Sequence, residues 1–178
     1  AALMRETPEA LRPTMLRHVL RKVSGDAFAA DEAALARLAA RLAAPGFAGA
    51  TLNGCRFAPS AGRSLLITRE HAAAMRAPLD LSPGGEGVWD GRFLVARGPG
   101  GPPALRVQAL GLKAAASLRR ANPLAAREPA AVLAVLPGFH AGERLIAVPS
   151  LAFTVSGAGA FARFLKAEPL FFVSNTAA

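Results

Sequence analysis

Gly87-Val88-Trp89-Asp90-Gly91-Arg92-Phe93-Leu94-Val95-Ala96-Arg97 is the stretch that decides the fold of the second half of the chain. Asp90-Gly91 is a turn dipeptide, because both central positions of a tight hairpin turn need positive φ, which Gly and Asp tolerate. Gly87 to Trp89 leads into the turn and Arg92 to Arg97 leads out of it extended. Trp89 is expected in the core, with Phe93 packed near it and Arg92 over its face. Gly98-Pro99-Gly100-Gly101-Pro102-Pro103 is incompatible with regular structure and reads as a loop tip. Leu105 to Leu110 then returns as a strand, so the region is expected to be antiparallel.

Downstream of this hairpin, residues 112–121 read as a helix with Leu112 and Leu118 inward and Lys113, Arg119 and Arg120 outward. Asn122-Pro123 ends it, since the residue before proline avoids the helical region. Glu128 to Leu136 fits either a short helix or a strand. Arg144 to Val148 reads as a strand, Gly159 to Lys166 as helical, and Leu170 to Val173 as extended.

Upstream, residues 14–23 place Leu16, Val19, Leu20 and Val23 on one helical face. Pro13 suits the first turn and Ser24-Gly25-Asp26 supplies a stop. Residues 32–44 repeat the pattern, with Asp31 as cap, Leu35, Leu38 and Leu42 buried, and Pro45-Gly46 as terminator. Short connections favour antiparallel packing of the two. Thr51 to Phe57 and Ser64 to Arg69 read as two strands of a hairpin with a loose turn at Pro59-Ser60-Ala61-Gly62. His71 to Arg76 is a short helix or an extended connector, and Arg76 to Gly85 reads as a linker. The expected fold is mixed α+β. A helical pair plus β-hairpin occupies residues 1–76, and a small, mostly antiparallel sheet with one or two helices occupies 77–178.

Composition bounds the function. The 178 residues suit one ordinary domain or two small ones. Half the chain is hydrophobic by type, but much of that is alanine, which buries little area, so the positive mean hydropathy overstates the core. The longest apolar runs fall short of the ~20 residues that span a bilayer, so neither a transmembrane helix nor a secretory signal is expected. One cysteine, Cys55, excludes an intrachain disulfide framework and a cysteine-cluster zinc site, which fits a cytoplasmic setting. The Ala-Ala-Leu-Met-Arg opening reads like the middle of a longer protein. The net charge is +9, from eighteen Arg and three Lys against twelve acids. Residues 1–44 carry +2, 45–76 carry +3, 77–110 are neutral and 111–178 carry +4. The surplus thus lies outside the Trp89 hairpin. Such a balance favours polyanionic partners, although an Ala-rich, Arg-over-Lys composition also follows from a GC-rich genome.

Little in the sequence looks catalytic. Ser82-Pro83-Gly84-Gly85-Glu86-Gly87 has a proline where an N–H should face a phosphate, and it lacks a strand-then-helix frame, so a turn is the better reading. Cys55 reads as a small buried thiol rather than a nucleophile paired with His71. His18, His71 and His140 show no metal-ligand spacing with one another. No catalytic, cofactor-binding or metal-binding residue is assigned, which leaves a small hydrolase built on Cys55 or a histidine as a remote alternative. The candidates for binding are two basic helix faces, Arg17, Arg21 and Lys22 on one and Lys113, Arg119 and Arg120 on the other. Arginine forks and lysine ammonium groups there suit the phosphates of an RNA backbone, read by shape rather than sequence. The plainer reading of each residue is a solvated helix face. No aromatic platform for stacking single-stranded bases accompanies them.

Five segments in order resemble tRNA(Ile)-lysidine synthetase, in the half that follows its catalytic domain. They are Thr51-Leu52-Asn53-Gly54-Cys55, with Asn53 where the family has glycine; Ile67-Thr68-Arg69-Glu70; Trp89-Asp90-Gly91-Arg92-Phe93; Leu136-Pro137; and Leu145-Ile146-Ala147-Val148-Pro149 leading into Ser150-Leu151. The resemblance spans about Pro13 to Phe153 and implies a tRNA-docking portion of that ATP-dependent ligase, acting in the cytoplasm. Family members adenylate the wobble cytidine of an isoleucine tRNA with ATP and Mg2+, and lysine then displaces AMP. That chemistry belongs to an N-terminal pyrophosphatase-type domain whose phosphate loop has no counterpart here. The resemblance therefore implies a tRNA partner, an inert fragment, and a catalytic domain elsewhere. A homo-oligomer is compatible with it. The alternative is a stand-alone nucleic-acid-binding or scaffold module of the same ancestry without ligase activity.

Overall fold

The computed structural model describes residues 7–26, 30–61, 64–156, 158 and 165–170. The chain is α+β and divides into two compact units, Ala1–Glu70 and His71–Ala178.

The first unit opens with a 3-10 turn, Glu9–Leu11, and helix α1, Arg12–Ser24. Pro13 sits in the first turn of α1, where its missing N–H costs nothing. Gly25 stops the helix at φ 70°, its N–H bonded to the Arg21 carbonyl. Helix α2, Glu32–Ala43, is capped by Asp31, whose Oδ1 accepts the Ala34 N–H at 2.7 Å. Leu16 and Leu20 of α1 and Leu35, Leu38, Ala39 and Leu42 of α2 share one core. Val19 and Val23 are only half-buried at its edge.

Against these helices lie Cys55 and Phe57, the inward residues of a three-stranded antiparallel sheet. Its strands are β1 (Ala50–Leu52), β2 (Cys55–Pro59) and β3 (Leu65–Arg69), in that order. The expected single strand from Thr51 to Phe57 is therefore two strands. Asn53 and Gly54 both have positive φ, 49° and 67°, and reverse the chain so that Leu52 faces Cys55. That is the mirror-image turn that Asn-Gly favours, because its twist matches the strands.

The second unit begins with a single helical turn, α3 (His71–Ala74), and contains two antiparallel sheets. One has the order β10 (Phe153–Thr154), β9 (Arg144–Val148), β8 (Pro137–Ala141), β7 (Leu105–Ala109), β4 (Leu79–Leu81) and the other β11 (Lys166–Pro169), β6 (Phe93–Ala96), β5 (Glu86–Trp89). Strand β4, Leu79–Leu81, occupies the stretch expected to be a linker. Its Leu79 and Leu81 pair with Val107 and Leu105 of β7, Leu105–Ala109. The turn after it, Ser82-Pro83-Gly84-Gly85, has proline second and Gly84 third at φ 74°, closed by the Gly85 N–H on the Ser82 carbonyl. It delivers β5 (Glu86–Trp89), which turns at Asp90-Gly91 into β6 (Phe93–Ala96). Strand β11, Lys166–Pro169, completes that sheet, so Lys166 is extended rather than helical. The rest of the helix expected over 159–166 lies outside the described residues except Leu165, as do 171–173 of the last expected strand.

Three helices follow β7: α4 (Gly111–Ala121), α5 (Pro123–Ala126) and α6 (Ala130–Leu133). Asn122 ends α4 and caps α5, its Oδ1 accepting the Leu124 and Ala125 N–H groups. Glu128–Leu136 is thus partly helical, and it leads into β8, Pro137–Ala141, a strand with no clear signature in the sequence. Strands β9 (Arg144–Val148) and β10 (Phe153–Thr154) finish the larger sheet. One core joins Trp89, Phe93 and Val95 of the small sheet to Leu105, Val107 and Phe139 of the large one. A second gathers Leu110, Ala115, Leu118 and Leu133 of the helical region with Val148 and Leu151. Leu112, expected inward, is exposed. It lies about 120° around α4 from Leu118, off the buried stripe.

Coverage on both faces makes β8 buried along nearly its whole length, His140 included. The His140 Nδ1 lies 3.1 Å from the Gly138 carbonyl, to which it donates. Burial holds its pKa below the ordinary histidine value, outweighing the opposite pulls of Gly138 and Glu143. As pH falls below about 6.5 an unfolded histidine gains its proton before the buried one does. The unfolded chain then binds more protons, so the stabilisation is full above that pH and is lost as pH falls toward the lowered folded value. Thermal melting between pH 7.5 and 5.5 should show a decline that His140→Gln reduces; parallel declines would contradict this.

Candidate nucleic-acid interface

The Trp89 hairpin is built around a cation. Asp90 and Gly91 both take positive φ, 50° and 63°, and set Trp89 opposite Phe93. The two rings lie 5.9 Å apart at 44°, within the tilted range that aromatic quadrupoles favour. Arg92 lies 5.4 Å from the Trp89 ring and 5.3 Å from the Phe93 ring. Its Nε donates to Asp90 Oδ2 at 2.8 Å and its Nη2 to the Val135 carbonyl at 2.7 Å. The Asp90 side chain is 3% exposed and that of Arg92 11%. This guanidinium is therefore committed inside the fold. Trp89 is buried, and its indole N–H has no hydrogen-bond partner among the described residues.

The other cations of the neutral centre are also occupied. Arg97 is 3% exposed and has no carboxylate partner among the described residues. Its Nη1 donates to the Leu81 carbonyl and its Nη2 to those of Gly100 and Pro102, which pins the Gly-Pro loop. Burial lowers its pKa, yet arginine remains charged at any working pH. Arg106 faces Asp80 across β7 and β4 in a two-pronged pair, 2.8 and 3.0 Å. That hydrogen bonding draws the Asp80 carboxyl below its usual range.

The helix cations differ. In α1, Arg17 lies beside the buried stripe and is paired with Glu32 of α2. Arg21 and Lys22 are exposed in the last turn and have no carboxylate partner among the described residues. They lie about 100° apart around the helix, with His18 between them. Two cations here also complement the negative end of the helix dipole. In α4, Lys113, Arg119 and Arg120 are all exposed. Lys113 and Arg120, seven residues apart, align within about 20°, while Arg119 lies about 120° from Lys113. The structure thus brings Lys113 and Arg120 onto one line, sets Arg119 to the side, and diverts Arg17 into an ion pair.

Two recesses have no signature in the sequence. One, of about 420 Å3, lies in the first unit and is lined by Arg41, Thr51 and Arg56 with neighbouring backbone. The other, of about 580 Å3, is apolar and lies in the second unit between α3, α4 and Phe153. The His71 Nε2 is buried without a partner among the described residues, and the ring lines this second recess. Cys55 is fully buried, its thiol donating to the Leu20 carbonyl at 3.8 Å. Among the described residues no three His, Cys, Asp or Glu side chains gather where they could share a metal ion. No described helix is long and apolar enough to cross a membrane.

Comparison with protein-family models, curated proteins and solved structures finds no match to the chain.

The segments that carry the resemblance sit at folding junctions. Thr51–Cys55 and Trp89–Phe93 contain the two mirror-image turns, Ile67–Arg69 lies in the strand beside Cys55, Leu136-Pro137 opens β8, and Leu145–Val148 is most of β9. Asp90→Asn keeps the shape of its side chain and removes the carboxylate charge that accepts from Arg92 Nε. Breaking a buried pair from one side costs about 3–5 kcal/mol. Denaturant unfolding should show a loss of that order; a loss below ~1 kcal/mol would contradict this role.

Proposed function

We propose that this chain is the tRNA-docking portion of a tRNA(Ile)-lysidine synthetase, working in the cytoplasm on a folded isoleucine tRNA. In this reading a pyrophosphatase-type domain outside these residues binds ATP and Mg2+ and carries out adenylation and lysine transfer. The residues described here hold the RNA and do not react. The ordered resemblance from Thr51 to Leu151 supports the family assignment.

The observation that carries the docking role is the segregation of cations. Arg92 and Arg97 are consumed by acceptors inside the fold, and Arg106 is held by Asp80 in an exposed two-pronged pair. Arg21, Lys22, Lys113, Arg119 and Arg120 are exposed on helices and unpaired among the described residues. Free, mobile cations on a rigid helix suit phosphate contacts. Each such contact releases condensed counterions, so affinity falls with salt. The contacts fix position on an A-form surface and carry no sequence information.

Two tests address the two halves of the proposal. The reading frame ahead of Ala1 should encode a Ser-Gly-Gly-x-Asp-Ser phosphate loop, and its absence from the complete gene would sink the ligase assignment. Binding of the chain to isoleucine tRNA should weaken steeply with salt. Arg21→Ala/Lys22→Ala and Arg119→Ala/Arg120→Ala should each flatten the log–log slope by about 0.7–0.9 for every phosphate that is no longer neutralised. A flat dependence in the unaltered chain would refute docking.

A further inference from the structure

We infer that the recess lined by Arg41, Thr51 and Arg56 in the first unit is a binding site for a phosphate group of the RNA backbone. The inference rests on the docking role proposed above and places an additional phosphate on residues outside the two basic helix faces.

The recess is assembled from three separate pieces of chain. Arg41 comes from the last turn of α2, Ala48-Gly49 from the connecting loop, and Ala50-Thr51 with Arg56 to Ala58 from β1 and β2. Its volume, about 420 Å3, is roomy for a phosphate and its sugar. Among the described residues, the only charged side chains lining it are the two arginines. No carboxylate within the described residues pairs with either of them. Two exposed guanidinium groups sharing a recess repel one another, screened in part by water, and an anion between them relieves that repulsion.

The geometry is also prepared in advance. Arg41 donates one Nη2 bond, 2.7 Å, to the Gly49 carbonyl, which orders the side chain and, among the described residues, leaves its remaining donors unused. Gly49 holds φ 139°, where a Cβ would lie 3.3 Å from the Phe57 carbonyl, so glycine suits the turn that presents this oxygen. Arg56 stands directly opposite Thr51 in the β1–β2 ladder, and both are exposed. Cross-strand partners lie close enough to act on one group, so the Thr51 hydroxyl joins Arg56 as a donor. An ordered arginine plus a second arginine and a hydroxyl offer several charge-assisted bonds to phosphate oxygens. Ordering Arg41 beforehand reduces the entropy cost of binding.

The shared chemistry is a phosphate oxyanion, whose source is either an RNA phosphodiester or free phosphate. The experiment uses the whole chain and the variant Arg41→Gln/Arg56→Gln. Both positions are exposed, and a melting curve equal to that of the unaltered chain checks folding. Salt titrations of tRNA binding should show the log–log slope reduced by about 0.7–1.8, the change expected when one or two phosphates go unneutralised, with affinity several-fold lower at low salt. Arg41→Lys/Arg56→Lys should retain most of the slope. Inorganic phosphate, titrated by calorimetry, should bind the unaltered chain only weakly. A slope unchanged in the glutamine variant, while Arg21→Ala/Lys22→Ala still flattens it, overturns the recess and leaves the docking role intact. Tight inorganic phosphate binding that the variant abolishes, with tRNA slope unchanged, overturns the RNA source in favour of a free anion. Absence of any salt-dependent tRNA binding by the unaltered chain overturns the docking role and this inference together.

Discussion

The guanidinium of Arg92 bonds Asp90 beside it and the Val135 carbonyl ahead of β8, with Trp89 and Phe93 against it. One group thereby ties the turn of the small sheet to the strand at the centre of the large one. A charge this buried is tolerable only while its carboxylate and carbonyl partners remain, since desolvating an unpaired cation costs several kcal/mol. The interaction therefore specifies one arrangement of the two sheets and penalises alternatives. The same commitment removes Arg92 from any role toward a ligand. A motif that stands out in the sequence is in this case a structural bracket.

The charge distribution follows from that constraint. The central part of the chain balances its cations with its own acids and carbonyls, through Arg92, Arg97 and Arg106. The surplus lies outside that part, on α1, on α4, around the Arg41–Arg56 recess and on other exposed arginines such as Arg37, Arg76 and Arg127. Helices suit exposed cations because they hold side chains on a rigid frame, and because α1 and α4 each carry a basic pair in the last turn, where the dipole favours it. The exposed pairs cost the fold little.

Much of the fold is legible where local chemistry decides structure. The 3.6-residue stripe of Leu16 and Leu20, the Asp31 cap, the Gly25 stop and the Asp90-Gly91 turn each act within a few residues. The positions that depart from expectation depend on distant partners. Leu79–Leu81 lies between two prolines and becomes a strand only because β7 offers it an edge. Pro137–Ala141 has no alternation because both of its faces are covered. Asn53-Gly54 is a readable turn between Thr51-Leu52 and Cys55-Arg56-Phe57, and the dipeptide outweighs the extended pattern around it. At the candidate interface, exposure of Arg21, Lys22, Arg119 and Arg120 follows from helical periodicity. The Arg17–Glu32 pair and the meeting of Arg41 with Arg56 do not, since each requires side chains from separate elements to converge.

The central claim is that exposed helix cations, and not the Trp89 hairpin, meet folded RNA. Hydrogen exchange of the whole chain, read by mass spectrometry with and without isoleucine tRNA at low salt, tests it most directly. The account predicts slowed exchange over Arg12–Ser24 and Gly111–Ala121, with Trp89–Phe93 unchanged. Slowing confined to the Trp89 hairpin, or no change on either helix at saturating tRNA, would contradict it.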